Sequence, residues 1–153
     1  MKLSDHFTLA EMTQSQTASR YGIPNTPGET EIAALRALCL NVLEPIRNQF
    51  GAPVTISSGY RSLKVNQKVG GATSSQHLKG EAADINVWGM DPIELYNWIV
   101  FYSGLDFDQC IQEFGSWVHI SFTQRRPNRR MAMRARRVNG RTVYDTITEP
   151  LEV

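Results

Sequence analysis

Cysteine and histidine are both scarce: 153 residues hold two of the first and three of the second. Cys39 and Cys110 stand among apolar neighbours, in Leu38-Cys39-Leu40 and Cys110-Ile111. That placement reads as two buried free thiols and excludes both a disulfide scaffold and a thiolate metal cage. No apolar run approaches the length of a membrane span, and Met1–Phe7 lacks the apolar core of a signal peptide. The expectation is a protein without membrane insertion, made in the cytoplasm without a classical export signal. An excess of charge of one sign is missing too. A net charge of +1 with 20% charged residues points to no particular partner. Linker-like and repeated stretches are absent, so residues 1–153 read as one domain, with a monomer expected.

The few histidines that exist are placed tellingly. In Ser74-Ser75-Gln76-His77-Leu78-Lys79-Gly80-Glu81-Ala82-Ala83-Asp84-Ile85 an imidazole and a carboxylate lie seven positions apart. Glycine and alanines between them let backbone approach backbone, so both could ligate one divalent metal. His119 lies in Trp117-Val118-His119-Ile120-Ser121-Phe122, whose alternation reads as a half-buried strand. Two histidines and one carboxylate, His77, Asp84 and His119, leave zinc's fourth position open, the arrangement of a catalytic rather than a structural site. Asp84 stands at the start of a strand pattern, Ile85-Asn86-Val87-Trp88, and not at a helix cap. His6 matches no motif and reads as surface.

The remaining pattern supplies a frame. Thr8 with Glu11 three residues on predicts a short capped helix. Apolar residues at Ile32, Leu35, Leu38, Cys39, Val42, Leu43 and Ile46 predict a long helix over 29–50, kinked or stopped near Glu44 by Pro45. Val54-Thr55-Ile56-Ser57-Ser58 reads as a strand and Val65–Val69 as a short helical piece. Asp91 caps a helix with Pro92 in its first turn. A strand over 106–113 leads toward the His119 strand, and Asn139-Gly140 marks a tight hairpin.

Together, Ser58-Gly59-Tyr60-Arg61-Ser62, Asn66, Val69-Gly70-Gly71-Ala72, the Ser75-x-His77-x-x-Gly80-x-Ala82-x-Asp84-Ile85 motif and Trp117-Val118-His119 resemble the zinc D-alanyl-D-alanine carboxypeptidases. That group also includes lysostaphin-type enzymes, phage endolysins and the Hedgehog signalling domain, and the chain is most similar to the short phage-associated members. The resemblance implies an α+β, Hedgehog/DD-peptidase-like fold: N-terminal helices packed on a small, mainly antiparallel sheet that carries a zinc site. It implies Zn²⁺ bound by His77, Asp84 and His119, Arg61 holding a substrate carboxylate, and Ser75 lining the site. Arginine's bidentate fork supports the Arg61 role on chemical grounds. The substrate implied is a peptidoglycan stem peptide or cross-link, with action on the cell wall. Arg61 favours a substrate ending one residue beyond the scissile bond; the phage-like form favours interior cleavage, and the reading leans to the endopeptidase.

A zinc peptidase also needs a carboxylate base. Many relatives carry an acid three positions before the last histidine ligand, where this chain has Ser116. Others carry glutamate six positions before it, where this chain has Glu113. A three-residue loop Gly115-Ser116-Trp117 would set Glu113 opposite His119, whereas a two-residue Gly115-Ser116 turn would pair Gln112 with His119. Two other readings stand beside the enzyme. One is a non-catalytic zinc-containing binding module on the same fold. The second is nucleic-acid binding through the eight arginines between Arg125 and Arg141. No nucleic acid is expected, because such a segment equally suits an anionic wall or a solvated hairpin face.

Overall fold

The computed structural model describes residues 1–153. Six strands form one sheet: β1 (Val54–Ser58), β2 (Ala82–Val87), β3 (Gln109–Glu113), β4 (Trp117–Ser121), β5 (Met131–Val138) and β6 (Arg141–Thr146). Their order is β1-β2-β4-β3-β5-β6, antiparallel throughout except that β3 and β5 run parallel. The α+β class and the mainly antiparallel sheet are those that the resemblance implies.

Alternation divides the sheet into two faces. Ala83, Ile85, Cys110, Val118 and Ile120 are fully buried and join the core beneath the helices. Their neighbours in the chain, Asp84, Ile111 and His119, point the other way. Helices α1 (Leu9–Thr13) and α2 (Gln16–Tyr21) start from side-chain caps, Thr8 with Glu11 in a capping box and Ser15.

The long helix does not stop at Pro45. It runs as α3 (Glu29–Leu38), a π-helical turn over Cys39–Leu43, and α4 (Glu44–Phe50). The Glu44 N–H reaches back five residues to the Cys39 carbonyl, so the turn widens where Pro45 offers no N–H of its own. Leu35, Leu38, Cys39, Val42, Leu43 and Ile46 are all fully buried on its inner face. His6 is tied to it: its N–H and Nδ1 meet the Glu44 carboxylate at 2.8 and 2.6 Å.

Helix α5 (Leu63–Lys68) follows β1, and α6 (Pro92–Asn97), capped by Asp91, runs into a second π-helical turn over Trp98–Tyr102. Asn139 and Gly140 both take positive φ, 52° and 77°, and close the β5–β6 hairpin. Cys39 and Cys110 are buried free thiols.

Candidate metal centre

Three elements bring the predicted ligands together. His77 lies on a 3₁₀ turn, Gln76–Lys79, whose first N–H groups include one bonded to the Ser75 hydroxyl. Gly80 ends that turn at φ 71°, and a Cβ there would lie 2.5 Å from the Glu31 carbonyl of α3. Only glycine allows the turn to seat against the helix. Asp84 is the third residue of β2 and pairs directly with His119 of β4. His77 Nε2 stands 3.3 Å and His119 Nδ1 3.0 Å from Asp84 Oδ1. The three ligand atoms lie within 4.8 Å of one another, and all three residues are buried.

The surroundings fit a divalent metal. His77 Nδ1 lies 2.7 Å from the Gly59 carbonyl, which accepts its proton and leaves Nε2 with a free lone pair turned to the centre. Burial holds the His77 imidazole below its ordinary pKa against the pull of Asp84, so it stays neutral as a ligand must. Burial would raise the Asp84 carboxyl, but the two imidazoles outweigh it and hold Asp84 well below the usual carboxylate range. Two nitrogens and one carboxylate oxygen are the donor set that zinc takes in hydrolytic sites.

Glu113 reaches the site by a register that neither anticipated loop describes. The β3–β4 loop is Phe114-Gly115-Ser116, so Glu113 pairs with Trp117, and Ile111 is the residue opposite His119. Phe114 and Gly115 both take positive φ, 58° and 69°. The Glu113–His119 pairing expected for a Gly115-Ser116-Trp117 loop is therefore corrected by two residues, because the three-residue loop begins one position earlier. An even shift keeps the same face, so Glu113 remains His119's diagonal neighbour, its Oε1 3.9 Å from His119 Nδ1. Trp117 Nε1 donates to the same oxygen at 3.2 Å. Burial raises the Glu113 carboxyl, partly offset by His119. Ser116, at the commoner position for the acid, is exposed on the loop.

Arg61 leaves β1 just after a bulge that sets Ser58 opposite Asp84. Its Nε donates to Ser58 Oγ at 3.1 Å, one Nη donates to Asn66 Oδ1 at 3.3 Å, and the other lies 3.6 Å from Asp84 Oδ2. Asn66 in turn donates to the Ala72 carbonyl, and Gly71 packs so closely that a Cβ would lie 2.1 Å from Asn66 Oδ1. Ser75, besides capping His77, lines the same cavity.

That cavity measures about 780 Å³ and holds the three ligands, Glu113 and Arg61 in its wall. It also shows residues that sequence reading did not assign to the site. Tyr144 lines it from β6, in one cross-strand row with Glu113 and Ala135. Arg125, Arg126 and Arg129 line it too. The arginine segment is therefore more than a solvated hairpin face. Arg125 makes a bidentate pair with buried Glu81 at 2.8 and 2.8 Å, and Arg126 and Arg129 both grip buried Asp108. Neither acid belongs to any motif, and only their tertiary partners reveal them.

A family model described as Peptidase M15 matches residues 5–121. The zinc D-Ala-D-Ala carboxypeptidase of Streptomyces albus G is 34% identical over 84 residues, covering 52% of this chain and 31% of that protein. The match thus spans less than a third of the relative's length. Strands β5 and β6, with Tyr144 and the arginines, lie beyond the residues that the family model covers.

Proposed function

The chain belongs to the M15 peptidase family, and from that membership we propose that it is a zinc-dependent peptidase cutting amide bonds in peptidoglycan stem peptides or cross-links. The observation that carries this reading is the convergence of His77 Nε2, Asp84 and His119 Nδ1 within 4.8 Å beside a carboxylate base and a clamped arginine. His77, Asp84 and His119 would hold the ion. When bound, zinc supplies a Lewis acid and lowers the pKa of the water it holds.

The chain's own groups do the rest. Glu113, raised by burial toward working pH, accepts the proton of the attacking water and passes it to the departing amine. Its diagonal place beside His119 sets it next to the reacting atoms without making it a ligand. Arg61, its guanidinium oriented by Ser58 and Asn66, pairs with a substrate carboxylate and fixes the scissile bond over the centre. The Gly59 carbonyl holds the His77 tautomer, and Ser75 holds the turn that presents it.

Cleavage inside the stem or its cross-links is the specific activity we favour over removal of a terminal D-alanine. The cavity is lined by arginines on more than one wall, which suits a substrate continuing past the metal centre. A non-catalytic zinc module is the alternative, and Glu113 beside His119 speaks for catalysis against it.

The test is metal analysis joined to product analysis. Purified protein is expected to hold about one zinc per chain and to release new N-terminal amines from insoluble peptidoglycan, and His77→Ala to lose both. Stoichiometric zinc in the His77→Ala protein would sink the ligand assignment. Free D-alanine as sole product would replace the endopeptidase with a carboxypeptidase.

A further inference from the structure

We propose that Arg126 and Arg129, mounted on buried Asp108, form a second anion-binding point in the cavity wall. It takes a carboxylate of the peptide substrate about three residues from the bond that is cut. The proposal rests on the peptidase reading above and deepens it to a substrate class, a peptide carrying two carboxylates.

The first observation is an excess of positive charge that folding alone does not require. The Asp108 side chain is wholly shielded from solvent. Arg129 already satisfies it, through its backbone N–H at 3.1 Å, Nε at 3.0 Å and Nη2 at 2.8 Å. Arg126 adds two more hydrogen bonds, at 2.6 and 3.2 Å. Two guanidiniums on one carboxylate leave a net positive charge, held in a fixed orientation. The pairs do not use every donor: Arg126 Nε and Arg129 Nη1 bond to nothing in the protein. The two side chains remain 36% and 44% exposed, and both line the cavity that contains the metal centre.

The second observation is spacing. Asp108 stands three residues before Ile111, the residue opposite His119. At about 3.3 Å per extended residue Asp108, the carboxylate on which the arginine pair is mounted, lies roughly 10 Å along the chain from the metal row. Gln109 and Ile111 line the cavity between. An extended peptide covers the same distance in about three residues, so a bond over the metal centre and a carboxylate on the Arg126–Arg129 pair can be engaged together. An orientated guanidinium with free N–H groups recognises a carboxylate by charge and by geometry. A stem peptide, with interior and terminal carboxylates, fits that pattern.

The experiment uses zinc-loaded Glu113→Gln protein, which binds without turnover, and two synthetic stem peptides. They differ only in the carboxylate three residues from the scissile amide, free in one and a primary amide in the other. Calorimetry is expected to show the free acid binding about 10-fold tighter, the scale of one or two charge-assisted hydrogen bonds. Arg126→Gln should erase that preference and leave the affinity for the amide unchanged, while Arg126→Lys keeps part of it. In Arg126→Gln, Asp108 retains its three bonds from Arg129, so the fold is preserved, and a single cooperative thermal transition checks this. Equal Kd values for the two peptides, or a preference that survives both Arg126→Gln and Arg129→Gln, would overturn the proposal. So would binding of a phosphate polymer, but not of the peptides, that depends on Arg126. Cleavage of both peptides by the unaltered enzyme with equal affinity would remove the second site and leave the peptidase standing, whereas cleavage of neither would remove both.

Discussion

Glu113 and Gly71 show how single side chains carry separable parts of the chemistry. Glu113→Gln keeps shape and hydrogen bonding but removes the proton acceptor. Zinc content should persist while hydrolysis falls at least ~10²-fold, with metal analysis and turnover measured on one preparation. Unchanged turnover would assign the base elsewhere. Gly71→Ala acts on Arg61 indirectly: the new methyl would meet Asn66 Oδ1 at 2.1 Å, and Asn66 is the residue that orients the guanidinium. Overpacking there should cost about 1–3 kcal/mol and raise KM more than it lowers kcat. An unaltered KM in a folded Gly71→Ala protein would mean that Arg61 needs no such support.

At the scale of the element, the sheet decides which residues meet. Trp117, Glu113, Ala135 and Tyr144 form one row across β4, β3, β5 and β6. Ala135 is almost fully buried between Glu113 and Tyr144 in that row. Ala135→Leu would force Glu113 and Tyr144 apart without touching a metal ligand. It should cost about 1–3 kcal/mol and depress kcat while zinc stays stoichiometric. Zinc loss in that variant would show the row and the centre to be mechanically one unit. The same logic explains the hairpin: a two-residue change of register keeps parity, so Glu113 stays on the site face although its partner is Trp117 and not His119.

Whole-molecule stability should report both the centre and the arginine wall. Zinc bound only by the folded chain stabilises it by mass action, about 2.7 kcal/mol at a free concentration 100 times Kd. Chelation should therefore lower Tm by roughly 5–10 °C for a chain of this size, and re-addition of zinc should restore it. Asp108 supplies a pH dependence of its own. Burial would raise its carboxyl, but the bonds from Arg129 and Arg126 outweigh burial and hold it well below the usual range. A depressed folded-state pKa contributes stability that is fully present above the unfolded value, near 3.9, and is lost as pH falls through the folded one. Asp108→Asn should thus cost about 2–3 kcal/mol at pH 7, and the gap to the parent should narrow steadily below pH 4 in urea unfolding. A gap independent of pH would mean that packing, and not the ion pair, makes the difference.

How much of this is legible without coordinates follows from the range of the forces involved. Local signals acted within a few residues, and they were readable: the Thr8–Glu11 box, the apolar stripe of α3 and α4, the alternation of β1, and the Asn139-Gly140 turn, whereas β4, read as half-buried, is buried on both faces because the site closes over its outer one. The motif around His77 and Asp84 was readable for the same reason, since Gly80 and the alanines encode a close approach in sequence spacing. Pro45 was half legible. Its missing donor was evident, but a widened turn held by the packed inner face replaced the expected break. Other features depend on groups far apart in the chain. Glu81 meets Arg125 only because β2 lies beside β4; Asp108 meets Arg126 and Arg129, and Glu113 shares a row with Tyr144, only because the sheet order brings β3 beside β5. A buried carboxylate costs too much unless a cation meets it. The sequence by itself determined which residues could ligate a metal and which helices and strands would form; the tertiary structure decided which charges are paired, because desolvation becomes a cost only once the fold has removed the water.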